Sequence, residues 1–154
     1  MKKRWMVFLL PILAFCSGAR RVPFEQYSVA MTLAVEPDSS VFIGTDEKFN
    51  GVLWLNQVFE TEGTAAASVK LIENFGRFYL CADQFKNVWI LQPHKDGVSA
   101  KAKAVDVTPE DETDVYTDIG LSRYGSRENA MVRFRFNNRQ LFIDRKGGVH
   151  ETYQ

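Results

Sequence analysis

Short apolar segments alternate with turn-forming residues along most of the chain. The segments are rich in Val, Phe, Tyr, Leu and Ile, and Gly, Pro, Asp and Asn separate them, which is typical of strands and turns. No segment keeps a helical period over about eleven residues or more. Polar stretches at 108–112 and 122–129 are predicted loops. The sequence therefore predicts an all-β fold with strands at 27–35, 41–44, 52–59, 68–72, 78–82, 88–91, 101–107, 114–117, 131–136 and 140–143.

Three of the predicted hairpins resemble one another. They span Leu33–Val41, Leu80–Val88 and Leu141–Val149, and each has turn chemistry between a leading Leu and a trailing Val. Three like hairpins indicate threefold repetition, although an ordinary β-sandwich or open barrel would produce similar strands and turns. The predicted core contains Leu33, Val35, Val41, Val69, Leu71, Leu80, Cys81, Val88, Tyr116, Val132 and Phe134.

Residues 1–18 have the order of a secretory signal peptide. Bases at 2–4 precede an apolar run at 6–15 and a small-residue cluster at 16–19. A membrane-spanning helix needs about 20 apolar residues. The apolar run here contains Pro11 and has only half that length. We therefore expect a secreted, extracellular protein without stable membrane insertion, with one domain over residues 19–154.

Charge is balanced overall but uneven along the chain. There are 19 basic and 19 acidic residues, which excludes a broadly basic nucleic-acid binder. Residues 106–118 contain six acids and no base, whereas the chain from Arg123 onward contains seven bases and three acids. A local basic patch of this kind can attract a polyanion even on a neutral protein.

Catalytic motifs are absent from the sequence. His94 and His150 are far apart and belong to no metal-ligand spacing, and Cys81 is the only cysteine beyond the predicted signal peptide. Neither a nucleophile elbow nor a phosphate-binding glycine loop occurs. The sequence predicts a binding protein without a cofactor, and a hydrolase is the least favoured class.

Four segments resemble fibroblast growth factors, in the order found in that family. In chain order they are Thr32–Val41 (TLAVEPDSSV), Ser68–Asp83 (SVKLIENFGRFYLCAD), the tyrosine-bearing segment 114–117 (DVYT) and the late hairpin at 131–141. The resemblance implies a β-trefoil, a pseudo-threefold barrel with three hairpins. Ser39 replaces the family's turn glycine and Ala82 its usual Met. The apolar strand that closes the family's barrel is expected to be missing.

The same resemblance implies a secreted growth-factor-like ligand. Its partners would be a cell-surface receptor tyrosine kinase and heparan sulfate. The positions matching receptor contacts are Tyr27, Asp106 and Tyr116, of which Tyr116 can equally be a core residue. Strand alternation predicts that Arg133 and Arg135 share the solvent face. There they join the residues that match the family's basic loop, Arg139, Arg145 and Lys146, in one glycan-binding patch. The predicted glycan-binding residues are Arg133, Arg135, Arg139, Arg145 and Lys146.

Other secreted β-trefoil binding proteins remain alternatives. A lectin of this fold usually carries Gln-x-Trp in each repeat, and Trp54 and Trp89 do not belong to that motif. An interleukin-1-like cytokine is compatible with the same strand pattern. A protease inhibitor would need an exposed reactive loop, for which 108–113 is the candidate.

Overall fold

A computed structural model describes residues 29–43, 52–93, 100–108, 116, 118–126 and 129–153. Within these residues the chain is mostly antiparallel β-sheet with one short helix. The elements are β1 (Met31–Ala34), β2 (Ser40–Phe42), β3 (Val52–Trp54), α1 (Asn56–Glu62), β4 (Ser68–Asn74), β5 (Arg77–Cys81), β6 (Asn87–Pro93), β7 (Ala100–Asp106), β8 (Gly120–Tyr124), β9 (Met131–Phe136), β10 (Arg139–Ile143) and β11 (Val149–His150). The predicted all-β class is confirmed at this level. The predicted signal peptide lies outside the described residues.

The strands form three antiparallel sheets. The central sheet has five strands in the order β1-β4-β5-β6-β7, a second has four in the order β11-β10-β9-β8, and β2 pairs with β3 alone. Val29 forms a bridge to Ser122, and the N–H of Ala30 donates to the carbonyl of Leu121 at 2.9 Å. The segment before β1 therefore joins the edge of the four-stranded sheet to the central sheet.

The central sheet is buried on both faces. Val69, Leu71 and Leu80 pack against residues of β2, β3 and α1, in one apolar cluster. Tyr79 and Cys81, which alternate with Leu80 along β5, pack against the four-stranded sheet in a second cluster. A sheet covered on both sides needs nearly continuous apolar strands, and the Phe-Tyr-Leu-Cys sequence of β5 meets that requirement.

The predicted core is confirmed. All of its members are buried except Leu33 and Val35, which are half-buried and pack against the first cluster.

The described residues include no helix long and apolar enough to cross a membrane.

The predicted strand at 52–59 is wrong in its second half. β3 ends at Trp54, and the chain continues as α1, which buries Val58, Phe59 and Glu62 on one side. Gly63 ends the helix in the left-handed conformation, at φ 69°, and its N–H donates to the carbonyl of Phe59 at 2.9 Å. The first cluster needs a cover over the central sheet, and that packing overrides the β-propensity of a short apolar run.

The predicted loop at 122–129 is wrong in its first part. Ser122, Arg123 and Tyr124 continue β8 and pair with β9. Leu121 is buried under the sheet while Ser122 and Tyr124 lie on its outer side, so the alternation of a strand extends through Tyr124.

Two of the three predicted hairpins share one turn geometry, although β1 and β2, which flank the first turn, pair with β4 and β3 and not with each other. The turns Glu36–Ser40 and Asp144–Gly148 have the same two backbone hydrogen bonds. In each, the N–H of the first residue donates to the carbonyl of the fifth, and the N–H of the fourth donates to the carbonyl of the first. The fourth residue has a positive φ in each, 64° at Ser39 and 85° at Gly147. The middle turn has a bond from Phe85 to Ala82 instead. The sheets are open within the described residues, so the trefoil barrel stays a prediction.

Candidate functional site

The turn between β10 and β11 is fixed by the carboxylate of Asp144. One carboxylate oxygen accepts from the N–H groups of Lys146 at 2.7 Å and Gly148 at 2.8 Å, and the other lies 3.2 Å from Nε2 of His150. The hydroxyl of Tyr79 donates to the carbonyl of Asp144 at 3.2 Å. The turn is thus tied both to itself and to β5 of the central sheet.

These contacts set the ionisation of Asp144. Desolvation by burial raises the pKa of its carboxyl, but the two backbone N–H donors and His150 together outweigh it. The pKa of Asp144 is therefore below its ordinary value, and the carboxylate form holds the turn closed at neutral pH.

Four basic residues from three separate segments of the chain lie in or beside this turn. The Nζ of Lys103, on β7, donates to the carbonyl of Lys146, and the guanidinium of Arg145 donates to the carbonyl of Phe75 at 3.4 Å. Arg77 begins β5, two residues after Phe75 and two before Tyr79, so it lies on the same side of that strand as Tyr79. We name this set the basic cluster: Arg77, Lys103, Arg145 and Lys146.

Two glycines give the turn its close contacts. A Cβ on Gly147 would lie 2.9 Å from Nζ of Lys103, and the positive φ of Gly147 also disfavours a side chain. A Cβ on Gly148 would lie 2.5 Å from the Asp144 carboxylate. Gly147 therefore lets Lys103 reach the turn, and Gly148 lets the Asp144 carboxylate fold over it.

The neighbouring β4–β5 turn is held by Arg123 of β8. Its guanidinium donates to the carbonyl of Glu73 at 2.7 Å and forms an ion pair with the Glu73 carboxylate at 3.3 Å. It also lies over the ring of Phe75, 5.5 Å from the ring centre. The carboxylate of Glu73 accepts from the N–H of Gly76 at 2.5 Å. Arg123 and Arg145 thus fix this turn beside the basic cluster.

The predicted single glycan-binding patch is divided in the structure. Arg139 begins β10, whereas Arg145 and Lys146 follow its end. At about 3.3 Å per residue, β10 separates its two ends by about 13 Å, with Arg139 at one end and the turn that carries Arg145 at the other. A turn residue and a strand residue that are near in sequence can thus be at opposite ends of one strand.

Arg133 and Arg135 lie on the outer side of β9, as the alternation predicts. Arg135 is opposite Gln140 and Arg133 is opposite Phe142, while Phe134 between them is buried. Arg133 is half-buried and Arg135 is exposed.

The predicted receptor-contacting residues have different settings. Asp106 is exposed at the end of β7, and its carboxylate accepts from the N–H of Thr108 at 2.9 Å. Tyr116 is 3% exposed and packs edge-on against Phe134 and Phe136, so the structure supports the core alternative for this residue. Tyr27 lies outside the described residues.

A tyrosine-bearing surface on the outer side of the four-stranded sheet was not predicted. The ring of Tyr124 lies 5.2 Å from that of Phe142 and 4.9 Å from that of Tyr153, between ring centres. Arg133 lies over Tyr124, 5.4 Å from its ring centre. We name these four residues the tyrosine–arginine face. Its sequence signal was the alternation of buried Ile119 and Leu121, which places Tyr124 on the opposite side of a strand.

Glu62 is a second buried acid that the sequence did not reveal. Its carboxylate accepts from Nε1 of Trp89 at 2.7 Å, Nδ2 of Asn87 at 3.0 Å and the N–H of Lys86 at 2.7 Å. These bonds attach α1 to β6 and leave Glu62 9% exposed. Its arrangement is that of a structural carboxylate.

The described residues contain no group of three or more His, Cys, Asp or Glu side chains arranged to hold a metal ion. Cys81 is buried, and burial raises the pKa of its thiol, which keeps it protonated.

No protein-family model, curated protein sequence or solved structure matches this chain. The resemblance to fibroblast growth factors therefore depends on the sequence segments alone.

Proposed function

We propose that the protein is a secreted ligand of the fibroblast growth factor type that binds a sulfated glycan and a cell-surface receptor tyrosine kinase. The observation that carries the glycan part is the basic cluster. Arg77, Lys103 and the Arg145-Lys146 pair come from three separate segments, which are joined at one turn by the bonds of Tyr79, Lys103 and Arg145. Converging cations create a local positive potential on a chain whose formal charge is zero.

The cluster offers donors suited to sulfate groups. Arg145 and Lys146 are exposed, and Lys103 is exposed at the edge of the central sheet. Charge-assisted hydrogen bonds from such groups to anionic oxygens are about twice as strong as neutral ones. Asp144 lies within the turn, but its carboxylate is occupied by backbone N–H groups and His150. The glycan would therefore meet the outward bases rather than this acid.

Asp106 is the receptor contact that this proposal retains among the described residues. Its carboxylate is exposed and is oriented by the N–H of Thr108. The shared geometry of turns 36–40 and 144–148 supports the internal repetition of a trefoil. A closed trefoil barrel would require residues beyond the described ranges to join the open sheets.

Heparin affinity chromatography tests the glycan part. The variant carries Lys103→Gln, Arg145→Gln and Lys146→Gln, and the matched control carries Lys86→Gln, Arg135→Gln and Arg139→Gln. Both variants lose three positive charges, but only the first removes the basic cluster. We expect the cluster variant to elute at clearly lower salt than the control, with both melting temperatures close to that of the wild type, because exposed charges contribute little to stability.

Equal losses of retention in the two variants would contradict a site confined to the basic cluster, since Arg135 and Arg139 belong to the patch predicted from the sequence. Retention of the cluster variant like that of the wild type would do the same. The receptor part is tested by surface plasmon resonance on immobilised ectodomains of the fibroblast growth factor receptor class, where Asp106→Asn should weaken binding. Absence of wild-type binding, with and without heparin, would overturn the receptor part.

A further inference from the structure

The outer side of the four-stranded sheet carries exposed apolar and aromatic side chains. Tyr124 is 40% exposed, Tyr153 is 37% exposed, and Val29, bridged to Ser122 on β8, is 62% exposed. Phe142 is only 4% exposed because the ring of Tyr153 lies against it, at 6.0 Å between ring centres. The aromatic cluster is therefore ordered by its own packing and still presents two tyrosines to the surroundings.

Tyr153 is held in place by two features of the β8–β9 connection. Its hydroxyl donates to the carbonyl of Asn129 at 3.3 Å. Gly125 has a φ of 93°, and a Cβ there would lie 2.0 Å from the Tyr153 hydroxyl oxygen. The glycine therefore leaves the space in which the tyrosine sits, and the surface is preorganised.

The guanidinium of Arg133 is also preorganised. Its Nε donates to Oγ of Ser122 at 3.1 Å while its carbon lies over the ring of Tyr124. Within the described part of the chain it forms no ion pair with a carboxylate. A guanidinium fixed by stacking loses little side-chain entropy when it binds a carboxylate through two parallel hydrogen bonds.

The outward charges on β8, β9 and β10 have one sign, and the acid near this side, Asp144, is engaged by His150 of β11 at 3.2 Å. The residues that point outward from β8, β9 and β10 are opposite one another in the sheet register, and they include Arg133 and Arg135 but no acid. The outward set is Gly120, Ser122, Tyr124, Met131, Arg133, Arg135, Gln140 and Phe142. Tyrosine, arginine and methionine are enriched where proteins bind proteins, and tyrosine and arginine supply many of the residues that dominate affinity.

We propose that the tyrosine–arginine face is a protein-docking surface whose partner presents a carboxylate flanked by apolar side chains. The carboxylate pairs with Arg133, and the apolar neighbours cover Tyr124 and Tyr153. The inference rests on the proposed function only in that both require an extracellular protein partner. It uses residues separate from the basic cluster, so loss of heparin binding and loss of this docking are distinguishable.

The experiment is a peptide titration of the secreted, nitrogen-15-labelled protein, followed by NMR. The probes are acetyl-Leu-Glu-Leu-Glu-Leu-amide and its neutral counterpart acetyl-Leu-Gln-Leu-Gln-Leu-amide. We expect the acidic peptide to shift the Nε signal of Arg133 and the backbone signals of Tyr124 and Tyr153. The neutral peptide should bind about tenfold more weakly, because it lacks the charge-assisted contact.

A conservative pair of variants locates the effect. Arg133→Lys keeps the charge but cannot form the two parallel bonds, so it should weaken binding of the acidic peptide about tenfold. Arg145→Lys, in the basic cluster, should leave the affinity unchanged. Heparin elution should be the same for wild type and Arg133→Lys.

Three results would overturn the inference. The first is equal binding of the acidic and neutral peptides, and the second is a shift pattern centred on Arg145 and Lys146. The third is a change of the Tyr124 and Tyr153 signals with protein concentration alone, which would identify a second copy of the chain as the occupant. Each of these is visible in the wild-type protein, so the test does not depend on the variants folding.

Discussion

The two interfaces of the central sheet each contain a buried glutamate, but the two acids are satisfied differently. Glu62 connects the sheet to α1 through three neutral N–H donors. Glu73 connects it to the four-stranded sheet through an ion pair with Arg123, supported by the N–H of Gly76. The first arrangement closes an interior contact, and the second lies at the edge of the molecule beside the basic cluster.

The difference separates a closed interface from one that lies beside a proposed binding surface. A carboxylate saturated by neutral donors in the interior has no remaining role toward a ligand. Around Glu73, Arg123 and Arg145 fix the β4–β5 turn, and this turn and its neighbour present the basic cluster. Of the two surfaces that we propose for binding, the tyrosine–arginine face lies on the four-stranded sheet, and the basic cluster lies where the β10–β11 turn meets β5 and β7 of the central sheet.

The largest expected effect comes from breaking the α1 interface at Glu62. Glu62→Ala removes the shared acceptor of three donors, and Nε1 of Trp89 is then left buried without it. We expect a loss of about 3 kcal/mol in the free energy of unfolding, measured by urea denaturation. Glu60→Ala, on an exposed position of the same helix, is the control and should change it by less than about 0.5 kcal/mol. Similar values for the two variants would refute a structural role for Glu62.

Breaking the other interface should cost less. Arg123→Met removes the ion pair with Glu73. The side chain of Arg123 is 16% exposed and that of Glu73 is 10% exposed, so both retain some solvation. We expect a loss of about 2 kcal/mol by the same measurement, with Arg135→Met as the control. A double variant with Glu73→Gln should recover part of that loss, because the carboxylate then no longer lacks its partner. A larger loss for Arg123→Met than for Glu62→Ala would reverse the comparison.

Cys81 reports on the seal between the central and four-stranded sheets. Its thiol is buried on that side of β5, and burial raises its pKa, so little thiolate is present to react. We expect a thiol reagent at about pH 8 to label the native protein about a hundredfold more slowly than the urea-unfolded protein. Labelling at the same rate in both states would mean that the two sheets do not pack over this residue.

The smallest effect concerns Asp144 and pH. Its pKa is lowered in the folded protein, so its contribution to stability is present above the pKa of the unfolded chain and is lost as the pH falls through the folded one. Wild type should therefore be more stable than Asp144→Asn at about pH 7, and the difference should shrink as the pH falls below about 4. Thermal melts over this range measure it, with the exposed Asp83→Asn as control. If the stability difference between wild type and Asp144→Asn did not change with pH, it would result from packing and not from ionisation of Asp144.

Local pattern was sufficient for much of the fold. The alternation along Met131–Phe136 predicted β9 with the observed bounds and placed Arg133 and Arg135 on the outer side. The acid and glycines at 144–148 predicted a turn that the structure contains. Such features depend on residues within a few positions of one another, and period-two alternation and turn chemistry are read directly from the chain.

Tertiary structure decided everything that depends on which segments meet. The apolar run 52–59 is compatible with a strand or a helix, and only the need to cover the central sheet selects α1 after Trp54. Arg77 and Lys103 are far from Arg145 in sequence and join it only through the pairing of β4 to β7 and the packed β10–β11 turn. Tyr116 is assigned to the core by Phe134 and Phe136, which belong to another strand. The physical reason is that burial and charge clustering are set by contacts between segments distant in sequence, and local propensities do not contain those contacts.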